Sequence, residues 1–475
     1  MFVNDIHSQL NPTCVRQIVA PRSLAALRRA VWEAGDAHAP LAIAGGRHAM
    51  GGQQFLAGER LLDTTRLNRV LRFDREKGHV EAEAGITWPA LVRWLLRAQG
   101  DAVENDEPAW GIAQKQTGAD HLTLGGALAA NVHGRGLAMR PLIADVEQFT
   151  LVDARGAIHT CSRTENAELF RLVIGGYGLF GVVYSVVLRL APRQKLERVV
   201  EIATADDLME RFARRVADGF VYGDFQYAID PAGDDFLRRG VFSCYRPVDP
   251  RTPLAKRRAR SRRFSRKQYL DLIELAHVDK ARAFQVYADY YRGTSEQVYW
   301  SDLHQLNQLG GYVNGYHAEI DRRLDAPCPA SEVIAELFVP RPALAAFLET
   351  VRDDFRRHQV NVIYGTIRLI ERDDESFLAW ATQPCVGIIF NLHTEHSPHG
   401  LAHSRDAFRR LNDHALALNG GYYLTYHRHA TRAQVLAAYS QFPDFLRRKA
   451  AHDGDERFQS DWYRHHKTLL AGNGT

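Results

Sequence analysis

The sequence predicts an α+β protein of more than one domain, and three observations carry that expectation. The chain has 475 residues, 45% hydrophobic and 24% charged, enough for two or three domains with sizeable cores. Helical and extended patterns alternate through the first third. A β-α-β-β-α order follows later in the chain, which suits an antiparallel sheet with helices on one face.

Ser23 caps an apolar-periodic stretch that runs to Glu33, and Pro40 to Ala44 reads as a short buried strand. Val80 to Ala84 alternates as a strand does, and Thr87 with Pro89 starts a helix reaching Gly100. Glu147 to Val152 and Ala157 to Cys161 flank Asp153-Ala-Arg-Gly, a hairpin signature. Asn166 to Ile174 is helical in pattern and Val182 to Leu190 extended, with Pro192 closing the domain. Further on, Val333 to Val339, Val362 to Ile370 and Val386 to His393 read as strands, with Pro342 to His358 an amphipathic helix between the first two. The expected division is 12–195, 196–420 and a C-terminal segment 421–475 that packs back on the first domain.

Composition narrows the function classes. Lys plus Arg is 60 and Asp plus Glu is 56, a formal net charge of +4, so nothing global demands an anionic partner. The five cysteines, Cys14, Cys161, Cys244, Cys328 and Cys385, form no CxxC pair, which argues for reduced thiols and against a secreted disulfide framework. The first residues lack the basic-then-apolar layout of a signal peptide, and the expected location is cytoplasmic. Leu179 to Leu190, the longest mostly apolar stretch, is too short to cross a bilayer and is interrupted by Arg189.

Gly176-Tyr-Gly178-Leu-Phe-Gly181 matches GxGxxG, but a helical segment precedes it and a Val-rich strand follows. That is the reverse of a dinucleotide fingerprint, which needs a helix N-terminus after the glycines. Two other clusters are more informative: Ala44 to Gly52 directly after a strand, and Gly118 to Gly136. Both present rows of backbone N–H groups, and their missing Cβ atoms permit close approach to a diphosphate.

The paired clusters and the Gly-Gly-Tyr-Gly-Leu-Phe-Gly-Val-Val segment resemble the FAD domain of the vanillyl-alcohol oxidase and p-cresol methylhydroxylase (PCMH-type) superfamily, over roughly residues 15 to 193. Within it the chain is similar to polyol oxidases, aldonolactone oxidases and decaprenylphosphoryl-ribose oxidase. The resemblance implies a two-subdomain FAD-binding domain followed by an antiparallel-sheet substrate domain, with the diphosphate on residues 44–52 and 118–126. The implied cofactor contacts are Ala44, Gly45, Gly46, Arg47, His48, Ala49 and Met50; Gly118, Thr123, Leu124, Gly125 and Gly126; Asn131, Val132 and His133; and Gly181, Val182, Val183 and Tyr423.

His48 stands where covalent relatives attach the flavin, although Ala49 replaces their Ser. No cysteine falls between Gly118 and Gly136 to make a second bond. Thr366-Ile-Arg368 resembles the Ser/Thr-x-Arg strand that faces the flavin in polyol and lactone oxidases, and strand alternation puts Thr366 and Arg368 on one face. Tyr422 to His429 occupies the place of an active-site segment that ends in lysine in those oxidases; here the lysine is missing and Tyr426 or His427 stands in its place. The implied activity is oxidation of a CH–OH group of a sugar, polyol or sugar lactone by hydride transfer to FAD. Tyr426, His427 or His133 would be the base and Arg368 the stabiliser of negative charge. A C=C reductase similar to the sterol reductases and a non-catalytic binding protein are the rival readings. The electron acceptor, oxygen or a quinone-like molecule, stays open.

Two further groupings are weighed on residue chemistry alone. His393, Glu395, His396 and His399 have metal-ligand types but also suit a strand end and a Ser-Pro turn, and no metal is expected. Arg251 to Lys267 holds nine basic residues and no acid, the pattern of a solvated loop or a weak membrane-surface contact. One interrupting aromatic, Phe264, gives little for bases to stack on, and no nucleic-acid partner is expected.

Overall fold

The structure is a computed structural model describing residues 1–100, 109–254, 265–303 and 315–472. Most of the basic run Arg251 to Lys267 lies outside the described residues.

The first subdomain is a three-stranded parallel sheet of β1 (Gln17–Val19), β2 (Leu41–Ala44) and β3 (Arg60–Asp63), with β3 in the middle. Helix α1 (Leu24–Asp36) joins β1 to β2, and the Ser23 hydroxyl accepts from the Ala26 N–H at 3.2 Å. Its buried residues, Leu27, Ala30, Val31 and Ala34, recur at helical spacing. They pack between Leu41 and Leu62 of this sheet and Val152 and Val182 of the next.

The second subdomain is a five-stranded antiparallel sheet. Its strands are β4 (Val70–Asp74), β5 (His79–Glu83), β6 (Val146–Val152), β7 (Ile158–Ser162) and β8 (Val182–Arg189), in the order β7-β6-β8-β5-β4. Asp153 Oδ1 accepts from the Arg155 and Ala157 N–H groups and closes the β6–β7 turn. Helices α2 (Trp88–Ala98), α3 (Leu124–Ala130) and α4 (Ala167–Val173) accompany this sheet. The GxGxxG glycines sit between α4 and β8, and a Cβ at Gly181 would lie 2.7 Å from the Val152 carbonyl oxygen. Gly181 thus serves close strand packing.

The second domain is built on an eight-stranded antiparallel sheet, which begins with β9 (Lys195–Thr204), β10 (Tyr222–Tyr227), β11 (Arg239–Pro247) and β12 (Val298–Trp300). It continues with β13 (Ala330–Pro340), β14 (Val362–Ile370), β15 (Cys385–Glu395) and β16 (Gly421–Tyr422), in the order β12-β9-β11-β10-β14-β15-β13-β16. Helices α5 (Leu208–Ala217), α6 (Arg266–Val278), α7 (Lys280–Arg292), α8 (His317–Arg323), α9 (Leu344–Arg357) and α10 (Pro398–Ala417) pack around it. Along β15, Phe390 meets Phe355 of α9, whereas Ile389 and Asn391 line a cavity shared with α6 and α7. The sheet is therefore covered on both faces. The α9 and α10 layer follows from the β-α-β-β-α order; α6 and α7 add a cover over the opposite, cavity-bearing face.

The last segment carries α11 (Arg432–Ala438), α12 (Phe442–His452) and α13 (Asp461–Ala471). It returns to the first domain. The Leu41 N–H donates to the Arg457 carbonyl, and the Arg457 guanidinium donates to the Ala34 and Ala39 carbonyls, each at 2.7 Å. Trp462 packs on Tyr177 and Phe445 on Phe180. Among the described residues no helix is long and apolar enough to cross a membrane.

Candidate active site

A cavity of about 370 Å³ runs from the two glycine clusters to the inner face of the eight-stranded sheet. The loop after β2 forms one wall. A Cβ at Gly45 would meet Thr123 Oγ1 at 2.2 Å, and one at Gly46 would meet the His121 carbonyl oxygen at 2.5 Å. The two clusters thus interlock only because these positions lack side chains.

The clusters contribute differently. Gly46, Arg47, His48 and Ala49 line the cavity, and among the described residues their backbone N–H groups find no acceptor. Orphan donors side by side on a cavity wall form a concave anion site. At the second cluster the α3 start is already satisfied: the N–H groups of Leu124 and Gly125 donate to Ile86 and Ala84, and that of Gly126 to Thr123 Oγ1. Gly118, Gly125 and Gly126 shape the wall. The residues present therefore fit a diphosphate-bearing cofactor, held chiefly by the first loop.

His48 is half-buried on the cavity wall. Its Nδ1 lies 2.7 Å from His7 Nε2, and its own Nε2 makes no hydrogen bond. Burial first, then the neighbouring His7, pushes its pKa well below the usual imidazole range. His7 falls to about 4, again through burial. Both rings are neutral at pH 7.

On the other side of the cavity, Arg368 and Thr366 project from β14. Arg368 is 4% exposed, and its Nε and Nη1 make no hydrogen bond; Thr366 Oγ1 is likewise unpartnered. A buried guanidinium with open donors is costly to leave so. It asks for an acceptor in the cavity. Tyr423 also lines the wall and anchors itself by donating to the Ala130 carbonyl at 2.6 Å.

Behind the wall lies a buried proton-holding network. Glu336 of β13 receives the Tyr426 hydroxyl on Oε2 at 3.0 Å and meets His133 Nε2 with Oε1 at 2.5 Å. His133 Nδ1 is 3.0 Å from the Gly134 carbonyl. A carbonyl only accepts, so Nδ1 carries a hydrogen, and the Nε2–Oε1 contact then needs a second one between them. Burial, then Glu336, raises the Tyr426 pKa well above the phenol range, so its hydroxyl stays protonated and donates.

Several residues singled out from sequence lie away from the cavity wall. Asn131 is fully buried at the left-handed end of α3 and bridges the two domains, donating to Asp373 at 2.8 Å and accepting from the Ile143 N–H. His133 sits behind the wall with Glu336. His427 packs on Phe408 at 3.9 Å between ring centres and accepts from the His429 N–H. It does not line the cavity, and burial holds its pKa well below the imidazole range. Tyr426, one residue earlier, faces the cavity. Ala44, Met50, Thr123, Leu124, Gly181, Val182 and Val183 also fall outside the lining, whereas Val132, Tyr177 and Gly178 belong to it.

Glu336, His7, Arg135, Arg198 and Asp224 were not read from the sequence. A signal for Glu336 exists: Glu332 and Glu336 interrupt an otherwise apolar strand on one face, and a buried carboxylate requires partners. His393, Glu395, His396 and His399 do not gather into one site. His396 Nε2 pairs with Ser331 Oγ at 2.9 Å, Glu395 is exposed, and His393 faces Glu332 instead.

Residues 15–162 match the family described as FAD binding domain. The chain is 30% identical over 206 residues to cytokinin dehydrogenase 4 of Oryza sativa subsp. japonica, covering 42% of this chain and 36% of that protein. It is 27% identical over 198 residues to L-gulonolactone oxidase of Bos taurus, covering 42% of each. It is 31% identical over 189 residues to an uncharacterized oxidoreductase of the fasciation locus of Rhodococcoides fascians, covering 40% of this chain and 39% of that protein. The chain thus spans roughly two fifths of the length of these curated relatives. With the interlocked glycine loops and their orphan amides, these matches identify residues 15–162 as an FAD-binding domain of the PCMH type, with FAD as its cofactor.

Proposed function

We propose that this protein is an FAD-dependent oxidoreductase that oxidises a CH–OH group of a sugar, polyol or sugar-lactone substrate. The observation that carries the reading is the pairing of an unpartnered buried Arg368 with the Tyr426–Glu336–His133 network at one cavity wall. L-gulonolactone oxidases among the similar proteins support the lactone class; cytokinin dehydrogenases share the same FAD-binding region and leave the substrate to experiment.

Bound FAD supplies the hydride acceptor. The chain's own groups then have separable tasks. Gly46 to Ala49 would hold the diphosphate through their open N–H groups. Arg368 donates to the substrate oxygen that bears developing negative charge, in a site where low dielectric strengthens the contact. Tyr426 Oη takes the substrate hydroxyl proton as its own passes to Glu336 Oε2, and His133 stays bonded to Oε1. Four arginines and two acids line the cavity, a balance that favours an oxyanion over a cation. His48 serves as the covalent attachment point, a role supported by its position on the wall, its neutral ring and its unpartnered Nε2.

The deciding experiment is anaerobic reduction of the bound flavin, followed at its visible bands, with aldonolactones, polyols, aldoses and secondary amines offered in turn. Bleaching by a hydroxyl donor supports the proposal. Bleaching by amines alone, or by none of these donors, overturns it.

A further inference from the structure

A second cluster of ionisable side chains sits on the same sheet face, away from the Glu336 network. Glu332 and His393 are direct cross-strand partners on β13 and β15, and α6 brings His277 over both. Glu332 Oε1 lies 3.5 Å from His277 Nε2 and 3.8 Å from His393 Nδ1, and one ligand atom from each residue falls within 4.8 Å of the others. The His277 and Glu332 side chains are each only 6% exposed.

Among the described residues neither His277 Nε2 nor His393 Nδ1 makes a well-formed hydrogen bond; both face Glu332 Oε1 at ion-pair distance. Two buried imidazole nitrogens left unsatisfied around one carboxylate oxygen make an arrangement that costs stability in the absence of a shared partner. The other carboxylate oxygen is already held. Glu332 Oε2 accepts from the Tyr316 hydroxyl and lies 2.8 Å from His317 Nδ1. Such outer contacts are what orient a carboxylate that ligates a metal.

We propose that His277, Glu332 and His393 bind a divalent first-row transition ion, with zinc as the reference case. Two imidazoles and one carboxylate suit zinc and its neighbours, whereas calcium and magnesium prefer all-oxygen shells. Bonds of about 2.0–2.1 Å place tetrahedral neighbours roughly 3.3 Å apart. The observed 3.5 and 3.8 Å to Glu332 need contractions of a few tenths of an ångström, and the two imidazole nitrogens, within 4.8 Å of one another, a shift of up to about 1.5 Å by side-chain rotation. Glu332 lines the cavity wall, whereas His277 and His393 do not; the remaining coordination positions would take water. The ion would tie α6 to the sheet. The site draws on no flavin-binding residue and holds independently of the substrate proposed above.

The test uses the full chain, stripped with a chelator, desalted and titrated with Zn²⁺ by calorimetry, with retained metal counted by mass spectrometry after gel filtration. The expected result is one Zn²⁺ per chain, bound at least tenfold more weakly by His277→Ala, His393→Asn and Glu332→Gln. Glu332→Gln keeps the side-chain volume and an oxygen for Tyr316, so it reports loss of the anionic ligand in a folded protein. Unchanged flavin absorbance in the variants separates this site from the cofactor domain. A wild-type chain that retains no stoichiometric Zn²⁺, or equal affinity in all three variants, overturns the proposal.

Discussion

His133 Nε2 and Glu336 Oε1 meet at 2.5 Å across the boundary between the two domains, one from the loop after α3 and the other from β13. The contact joins the FAD-binding domain to the eight-stranded sheet through a proton, and Tyr426 extends it to the cavity. Replacing Glu336 by Gln keeps the shape and one acceptor oxygen but removes the carboxylate that takes the proton. Flavin reduction by the true substrate is expected to slow by about 10²- to 10⁴-fold, with flavin content unchanged. An unaltered rate in stopped-flow measurements would remove the network from the mechanism.

Arg368→Met preserves much of the aliphatic packing and deletes the open donors of the guanidinium. Loss of one charge-stabilising donor typically costs about 10²- to 10³-fold in rate. The prediction is a fall in kcat of that order with the melting temperature retained. A change confined to KM would show that Arg368 only helps to bind the substrate.

His48→Ala tests the covalent attachment directly. Acid precipitation of the wild type is expected to leave the yellow colour in the pellet, and that of the variant to release it to the supernatant. Acid-stable flavin in the variant would exclude His48 as the attachment point.

Acid lability follows from the buried histidines. His7 and His429 titrate near 4 and His466 near 3, all lowered chiefly by burial. Between those values and the unfolded value of about 6.5, the unfolded chain binds more protons than the native one. Each group therefore contributes its full stability above about pH 6.5 and loses it as pH falls toward its folded value. For His7 the difference corresponds to about 3 kcal/mol, since one pKa unit is about 1.4 kcal/mol. Denaturant midpoints should drop steadily from pH 6.5 to 4, with a shallower slope in His429→Gln. A flat profile over that window would contradict the neutral, buried state of these rings.

Much of the first domain is legible in the chain because its cues are local. The Ser23 cap, the Asp153 turn and the Val-rich β8 each sit within a few residues of the structure they direct. The glycine clusters mark the cofactor loops for the same reason: only a residue without Cβ fits at Gly45 and Gly46. By contrast, most of 201–330 escaped the reading. The helices α6 and α7 turn aromatic and small side chains such as Tyr287, Tyr291 and Ala276 to a cavity, which blurs the apolar stripe that periodicity detects.

The sequence by itself determined the α+β class, the FAD-binding domain and the alternation that sets Thr366 and Arg368 on the cavity face. Only the tertiary structure decided which of the adjacent Tyr426 and His427 faces the cavity, and that Glu336 and Glu332, four positions apart on one strand, serve two different clusters. The physical reason is that a regular strand dictates side-chain direction locally, whereas an irregular loop or a buried charge takes its direction from distant partners. His427 is held by Phe408, Tyr426 by Glu336, and Glu336 by a histidine 203 residues away in the chain.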